Sequence, residues 1–477
     1  MLDHKGLFID GRWLNSADGA RTPVINPADG ETLCTVADGT PTDGRAAVAA
    51  AVAAQRNWAR TSPRGRSEIL YRAYEAILAD IEQFAELITL EMGKPLAEAR
   101  GEVRYAAEFF RWFAEEAVRP SGHFGHTPDG GGRAMVLSQP VGPCLLITPW
   151  NFPLAMGTRK IGPAIAAGCT MVLKPAPQTP LSSLALAAVL AEAGLPDGVL
   201  NVVTTNRAAA VVEPMLRGGE IRKLSFTGST EVGRLLLAQA AHAVVRTSLE
   251  LGGNAPFIVL DDADLDRAVE GAMTAKMRNM GEACTAANRF FVHDAVVDDF
   301  ARKLAERMGA LTVGPGMEPG SQVGPLIDAP ARAKVSALVD DAVARGARVL
   351  TGGKPLRGRG YFFRPTVLAD VRPSSDLCFT EIFGPVAAIQ SFSDTDDVIH
   401  QANDTEWGLV GYVFTQDIDR AFAVSEALEV GMVGLNQGIV SNPATPFGGV
   451  KQSGLGREGG RQGIEEFLEQ KLIVMPS

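Results

Sequence analysis

Cysteine and histidine are both scarce in this chain, five and six among 477 residues. The thiols (Cys34, Cys144, Cys169, Cys284, Cys378) are odd in number and widely spaced, without a CxxC pair or a Cys/His cluster. That excludes a disulfide framework and a zinc site as organising devices; no metal is expected, and reduced thiols imply a cytoplasmic location. No apolar run approaches the roughly 18 residues of a membrane span. The longest, Ala46 to Ala54 and Leu184 to Ala191, are short, Ala-rich and read as helix faces. A basic start leading into an apolar stretch is missing too, since Met1 is followed by Leu2, Asp3 and His4, so no signal peptide is expected. Positive charge is in deficit, 45 Lys and Arg against 55 Asp and Glu, for a net charge of −10. This argues against nucleic acid or a membrane surface as partner, and any pocket for an anion must be built locally. Internal repeats and low-complexity tails are also lacking.

What is present is the balance of an ordinary globular protein, 46% hydrophobic and 21% charged, in a chain long enough for two or three domains. After an N-terminal stretch rich in turn residues, helical spacing dominates the first third. From Arg66 to Glu91 the positions Ile69, Leu70, Ala73, Ile77, Leu78, Ile81, Phe84 and Leu87 fall on one face. A Gly- and His-containing segment, Ser121 to Arg133, then breaks the pattern and reads as a β excursion. From Val141 short apolar runs (144–148, 170–173, 199–203, 223–226) alternate with helical patterns (157–167, 181–193, 231–242). Strands separated by helices imply a parallel sheet with crossovers. A second alternating series runs from Phe257 to about Asn436, and a Gly-rich segment, Phe447 to Gly460, precedes a short helix and strand.

Four segments carry chemistry. In Phe226-Thr227-Gly228-Ser229-Thr230-Glu231-Val232-Gly233 a strand ends at a glycine and a hydroxyl residue opens a helix, where N–H groups and the helix dipole meet an anion. Alone, it is equally an ordinary strand–turn–helix with Ser229 as N-cap. Ser248-Leu249-Glu250-Leu251-Gly252-Gly253-Asn254 sets one carboxylate among apolar residues and glycines, where desolvation raises its pKa towards that of a useful base. Asn279-Met280-Gly281-Glu282-Ala283-Cys284 surrounds a thiol with small residues that leave room for a ligand. Pro149-Trp150-Asn151-Phe152-Pro153 aims an amide from a loop fixed by prolines, an oxyanion donor or a plain turn asparagine.

Taken in order with Lys174-Pro175-Ala176-Pro177-Gln178-Thr179-Pro180 and Glu381-Ile382-Phe383-Gly384-Pro385, these segments resemble the aldehyde dehydrogenase superfamily over nearly the whole chain. The resemblance implies an α/β fold with a Rossmann-type cofactor domain, an α/β catalytic domain and a small β oligomerisation arm. Its expected boundaries are 1–120 and 141–250 for NAD(P) binding, 251–436 for catalysis, and 121–140 with 437–477 for bridging subunits into a homodimer or homotetramer. It assigns Cys284 as nucleophile, Glu250 as general base, and the Asn151 side chain with the Cys284 N–H as oxyanion hole. Lys174 and Glu381 are expected on the cofactor riboses and Gly228, Ser229 and Gly233 on its pyrophosphate; Trp150, Pro177 and Leu251 complete the cofactor set.

Within the superfamily the nearest resemblance is to succinate-semialdehyde dehydrogenases, carried by Thr158-Arg159-Lys160, Lys276-Met277-Arg278-Asn279, Gly438 to Asn442 and Lys451 to Gly459. It implies that Arg159, Arg278 and Ser441 grip the substrate's distal carboxylate. Glutarate semialdehyde, a broad aldehyde range, a CoA-acylating enzyme and a catalytically silent relative are the alternatives. Two positions depart from common relatives. Ala286 stands where many carry a second cysteine, so no reversible disulfide with Cys284 is expected. Pro177 stands where NAD-preferring relatives often carry a ribose-binding glutamate, which favours NADP over NAD.

Overall fold

The computed structural model describes residues 4–476. An eight-stranded sheet organises the first half of the chain. Its five central strands are parallel and stand in the order Leu200–Val202, Met171–Lys174, Cys144–Ile147, Lys223–Thr227, Arg246–Glu250. Strand order therefore reverses between Cys144–Ile147, the first of the five in the chain, and Lys223–Thr227, the fourth, which is the doubly wound pattern. Antiparallel strands close both edges: Leu7–Ile9 and Arg12–Leu14 on one side, Gly454–Leu455 on the other. Side chains alternate between two cores. Cys144, Leu146, Met171 and Leu173 face the helices of the first third, while Leu145, Ile147 and Val172 face the opposite layer. Burial on both faces explains why these strands read as continuous apolar runs.

The expected helical run from Arg66 to Glu91 is two helices, Pro63–Ala79 and Ile81–Met92. They meet at Asp80, whose backbone (φ −103, ψ 25) leaves the helical region and whose carboxylate accepts a hydrogen bond from the Gln83 amide. Ala208–Arg217, a helix with Pro214 inside it, was not visible as a periodic pattern.

A second sheet of seven strands includes Ala255–Val259 and Ala287–His293 as parallel neighbours. The β excursion is present as strands His123–His126 and Gly132–Pro140. The second of these pairs antiparallel with Leu468–Pro476 over nine positions, forming a separate three-stranded sheet. Phe124, Leu472 and Val474 on this sheet are exposed. No helix among the described residues is long and apolar enough to cross a membrane.

Candidate active site

Where the strand order reverses, the loops after Cys144–Ile147 and Lys223–Thr227 leave the sheet side by side. Open parallel sheets bind ligands at this place because free N–H groups and helix N-termini converge there. A cavity of about 280 Å³ lies at this end of the sheet. Cys284, Asn151, Trp150, Gly228, Ser229, Leu251 and Glu381 line it, together with Arg159, Arg278 and Ser441. Ten residues singled out from the sequence thus share one space.

The Cys284 loop can approach the first sheet because Gly252 and Gly253 have no side chains in the way. A Cβ at Gly253 would sit 2.8 Å from the Cys284 carbonyl oxygen. The Cys284 thiol is half-exposed to the cavity, but the cavity is deep. Burial pushes its pKa up to about 12, opposed by Arg159 and reinforced by Glu381. The thiol is therefore protonated here, and attack requires its proton to be taken or its thiolate stabilised. The Asn151 amide donates to the Glu282 carbonyl at 3.0 Å, which leaves its second N–H free.

Arg159 and Arg278 differ in their surroundings. Arg159 Nε lies 2.8 Å from Glu458 Oε2, off the line of a good hydrogen bond, and its guanidinium lies over Phe447. Its Nη2 is buried without a partner. Arg278 stacks on Phe152 and Tyr105, and its Nη1 is 3.4 Å from Ser441 Oγ. Among the described residues it pairs with no carboxylate. A wider cleft of about 600 Å³ also touches Tyr105, Phe152, Arg278 and Ser441 and opens a route to them from the surface.

Four expected residues stand outside the cavity lining. Glu250 ends the strand Arg246–Glu250, and its carboxylate turns towards the Phe447 to Gly460 segment, where a Cβ at Gly448 would be 2.8 Å from Oε1. Burial pushes its pKa well above the carboxylate range, helped by Glu458 and opposed by Arg159 and Lys160; Oε2 has no partner. Lys160 itself donates to Glu458 and to Ser225. Gly233 makes close packing possible, since a Cβ there would meet Leu251 at 2.5 Å. Lys174 is buried without an acidic partner among the described residues, and burial brings its ammonium down to about 8. Pro177 lines a separate cavity of about 230 Å³ with Gln178 and Tyr361.

These features fit a nicotinamide dinucleotide. Ser229 caps the helix Thr230–Ala241, and the neighbouring Thr227 hydroxyl is buried with no partner, a combination suited to a pyrophosphate. Glu381, pushed up to about 7 by burial, accepts from the Gly253 N–H through Oε1, and its other oxygen is left for a ribose hydroxyl.

Sequence reasoning assigned no role to Tyr105, Phe152, Phe447, Lys160 or Glu458. The aromatics carry no local signal, because they arrive from distant segments. Lys160 did carry one: two adjacent cations, Arg159 and Lys160, in an otherwise apolar helix require a buried acid, and Glu458 is that acid.

Residues 13–473 match the model of the aldehyde dehydrogenase family. The chain is 58% identical to a succinate-semialdehyde dehydrogenase of Paenarthrobacter nicotinovorans, over 92% of this chain and 98% of that one. It is 51% identical to a glutarate-semialdehyde dehydrogenase of Pseudomonas putida, over 98% and 97%. Among solved structures, an NADP dependent enzyme of Escherichia coli superposes with a TM-score of 0.98 at 50% identity, covering 99% of this chain and 98% of that one.

Proposed function

This chain belongs to the aldehyde dehydrogenase family, and we propose that within it the protein oxidises succinate semialdehyde to succinate, with NADP+ preferred over NAD+. The observation that carries the substrate is Arg278: a half-buried guanidinium on an aromatic platform, next to Ser441, with no acid of its own, in the cavity that holds the thiol. A carboxylate at the fourth carbon, counting the aldehyde carbon as the first, supplies the missing partner, and a charge-assisted hydrogen bond there contributes about 1.5–3 kcal/mol.

Cys284 attacks the aldehyde carbonyl as the thiolate, its proton released to solvent and the anion favoured by Arg159 and Arg278. The oxyanion that forms is held by the free Asn151 N–H and the Cys284 main-chain N–H, donors whose individual loss typically costs about 3–4 kcal/mol. Trp150, Gly228, Ser229, Leu251 and Glu381 would hold the dinucleotide, with Lys174, Pro177 and Gly233 beyond the cavity shaping its adenosine end. When bound, it supplies the two-electron oxidant. The thioester left on Cys284 is hydrolysed by water that Glu250 deprotonates; a carboxylate with a raised pKa is the stronger base for that task. For this step the Glu250 side chain swings from the Gly448 side into the cavity. The presence of this base argues against CoA as the acyl acceptor and against a silent relative.

Glutarate semialdehyde is the second substrate we propose, since the Pseudomonas putida relative is named for it and one methylene is worth only about 1–3 kcal/mol of discrimination. Pro177 removes a carboxylate that would repel a 2′-phosphate, which favours NADP+. The exposed apolar three-stranded sheet would join subunits into a dimer or tetramer, and the unpaired thiols suit the cytoplasm. Steady-state rates on C3 to C6 semialdehydes with each dinucleotide test the assignment. A preference for uncharged aldehydes would overturn it, as would full turnover by Cys284→Ala.

A further inference from the structure

Asn279 has a part in none of the steps above, yet it touches both ends of the group that holds the oxyanion. It is fully buried, and its side-chain amide donates to the Asn151 main-chain carbonyl at 3.0 Å and to the Glu282 carbonyl at 2.9 Å. The Glu282 carbonyl is also the one that receives the Asn151 side chain. Both acceptors are carbonyls, which cannot donate, so the orientation of the Asn279 amide is chemically determined. Its own main-chain N–H is taken by Glu98 Oε2 at 2.6 Å, and its carbonyl accepts from the Glu282 N–H at 2.9 Å.

The Asn151 loop is held from the other side by a buried ammonium. Lys94 donates to the same Asn151 carbonyl at 2.8 Å and to Glu102 Oε2 at 2.6 Å. The second oxygen of Glu102 accepts from the Leu154 and Ala155 N–H groups at the start of the helix that carries Arg159. The amide donor belongs to the first sheet and the nucleophile loop to the second, and Asn279 joins the two. The backbone conforms to this role: Asn279, Met280 and Gly281 are three successive residues with positive φ (55, 53 and 78), a costly run that persists only where surrounding contacts determine it.

We propose that Asn279, backed by Lys94, is a positioning residue for the oxyanion site, fixing the plane of the Asn151 amide relative to Cys284. The inference rests on the assignment of Asn151 as an oxyanion donor. Its test is a double-mutant cycle between Asn151→Ala and Asn279→Gly in the full-length enzyme. Glycine tolerates φ 55, so this variant removes the two donors without adding backbone strain. In the otherwise unaltered enzyme, Asn279→Gly should lower the pre-steady-state rate of NADPH formation about 10- to 100-fold, part of the loss expected for a whole donor. KM for the semialdehyde, NADP+ affinity and the rate of Cys284 alkylation by iodoacetamide should change less than about twofold. On the Asn151→Ala background the same substitution should have almost no further effect, because the group it positions is gone. Equal losses on the two backgrounds would overturn the proposal, as would a parallel loss of NADP+ affinity and thiol reactivity. Asn279→Asp keeps the volume and tolerance for positive φ but offers at most one proton; it carries the same cycle if the glycine variant does not fold. If Asn151→Ala itself leaves the rate of NADPH formation unchanged, the oxyanion assignment falls, which is distinct from failure of the coupling.

Discussion

The two arginines that line the cavity predict different outcomes on truncation under the proposed reaction. Arg278 forms no ion pair among the described residues, so Arg278→Ala breaks none; Glu98, which it favours at longer range, keeps Lys94 and the Asn279 N–H. What is lost is its charge-assisted contact with the substrate carboxylate, about 1.5–3 kcal/mol, or roughly 10- to 150-fold in kcat/KM for succinate semialdehyde. Butyraldehyde has the same carbon count without the acid, and its kcat/KM should change less than about threefold by the same reasoning, since no such bond exists to lose. Arg159 is tied to Glu458, which also receives Lys160 and lies near Glu250. Arg159→Ala removes one of the cations opposing that acid pair, so it should depress both substrates, the semialdehyde more. The assay is initial-rate NADPH formation for the two substrates with each variant at fixed pH. Equal proportional losses for Arg278→Ala on both aldehydes would refute the carboxylate assignment.

Glu250→Gln should give a burst of NADPH followed by slow turnover, visible by rapid mixing; an unchanged steady-state rate would move the base elsewhere. Because burial and Glu458 hold the Glu250 pKa well above the ordinary carboxylate range, the competent deprotonated form is lost, as pH falls, at a higher pH than for an ordinary carboxylate. Hydrolysis-limited turnover should therefore rise with pH above the ordinary carboxylate range in the unaltered enzyme, and a flat profile would contradict the assignment. Pro177→Glu should shift the kcat/KM ratio towards NAD+ by repelling the 2′-phosphate, and an unchanged ratio would place cofactor choice at another residue. Leu472→Asp puts a charge on the exposed face of the three-stranded sheet and should yield smaller species by size-exclusion chromatography if that sheet joins subunits.

The strands of the first sheet were legible because burial on both faces leaves uninterrupted apolar runs such as Cys144 to Ile147. Helix limits were less so: the periodicity from Arg66 to Glu91 continues in phase across Asp80, where the chain nevertheless turns. Cys284, Glu250 and Asn151 stood out through neighbours that are small or rigid, a local property. The pairing of Arg159 with Glu458, by contrast, joins residues nearly three hundred positions apart, and no spacing rule announces it. The same holds for Asn279, whose motif was noticed while its two acceptors lay in separate loops. The direction of the Glu250 carboxylate also had no sequence signature, since it depends on the space left by Gly448.

Strand Gly454–Leu455 completes the sheet edge at Glu250, and Glu458 follows it in the chain. On the ribosome this order has a consequence. The parallel strands and the nucleophile loop emerge first and fold as units, but the surroundings of the base cannot form until synthesis has passed residue 458. A nascent chain thus carries the thiol before it carries the means to release an acyl group from it. On the proposed chemistry, an aldehyde captured in that interval forms a thiohemiacetal that simply reverts, so late closure of this edge reserves acyl release for the finished molecule.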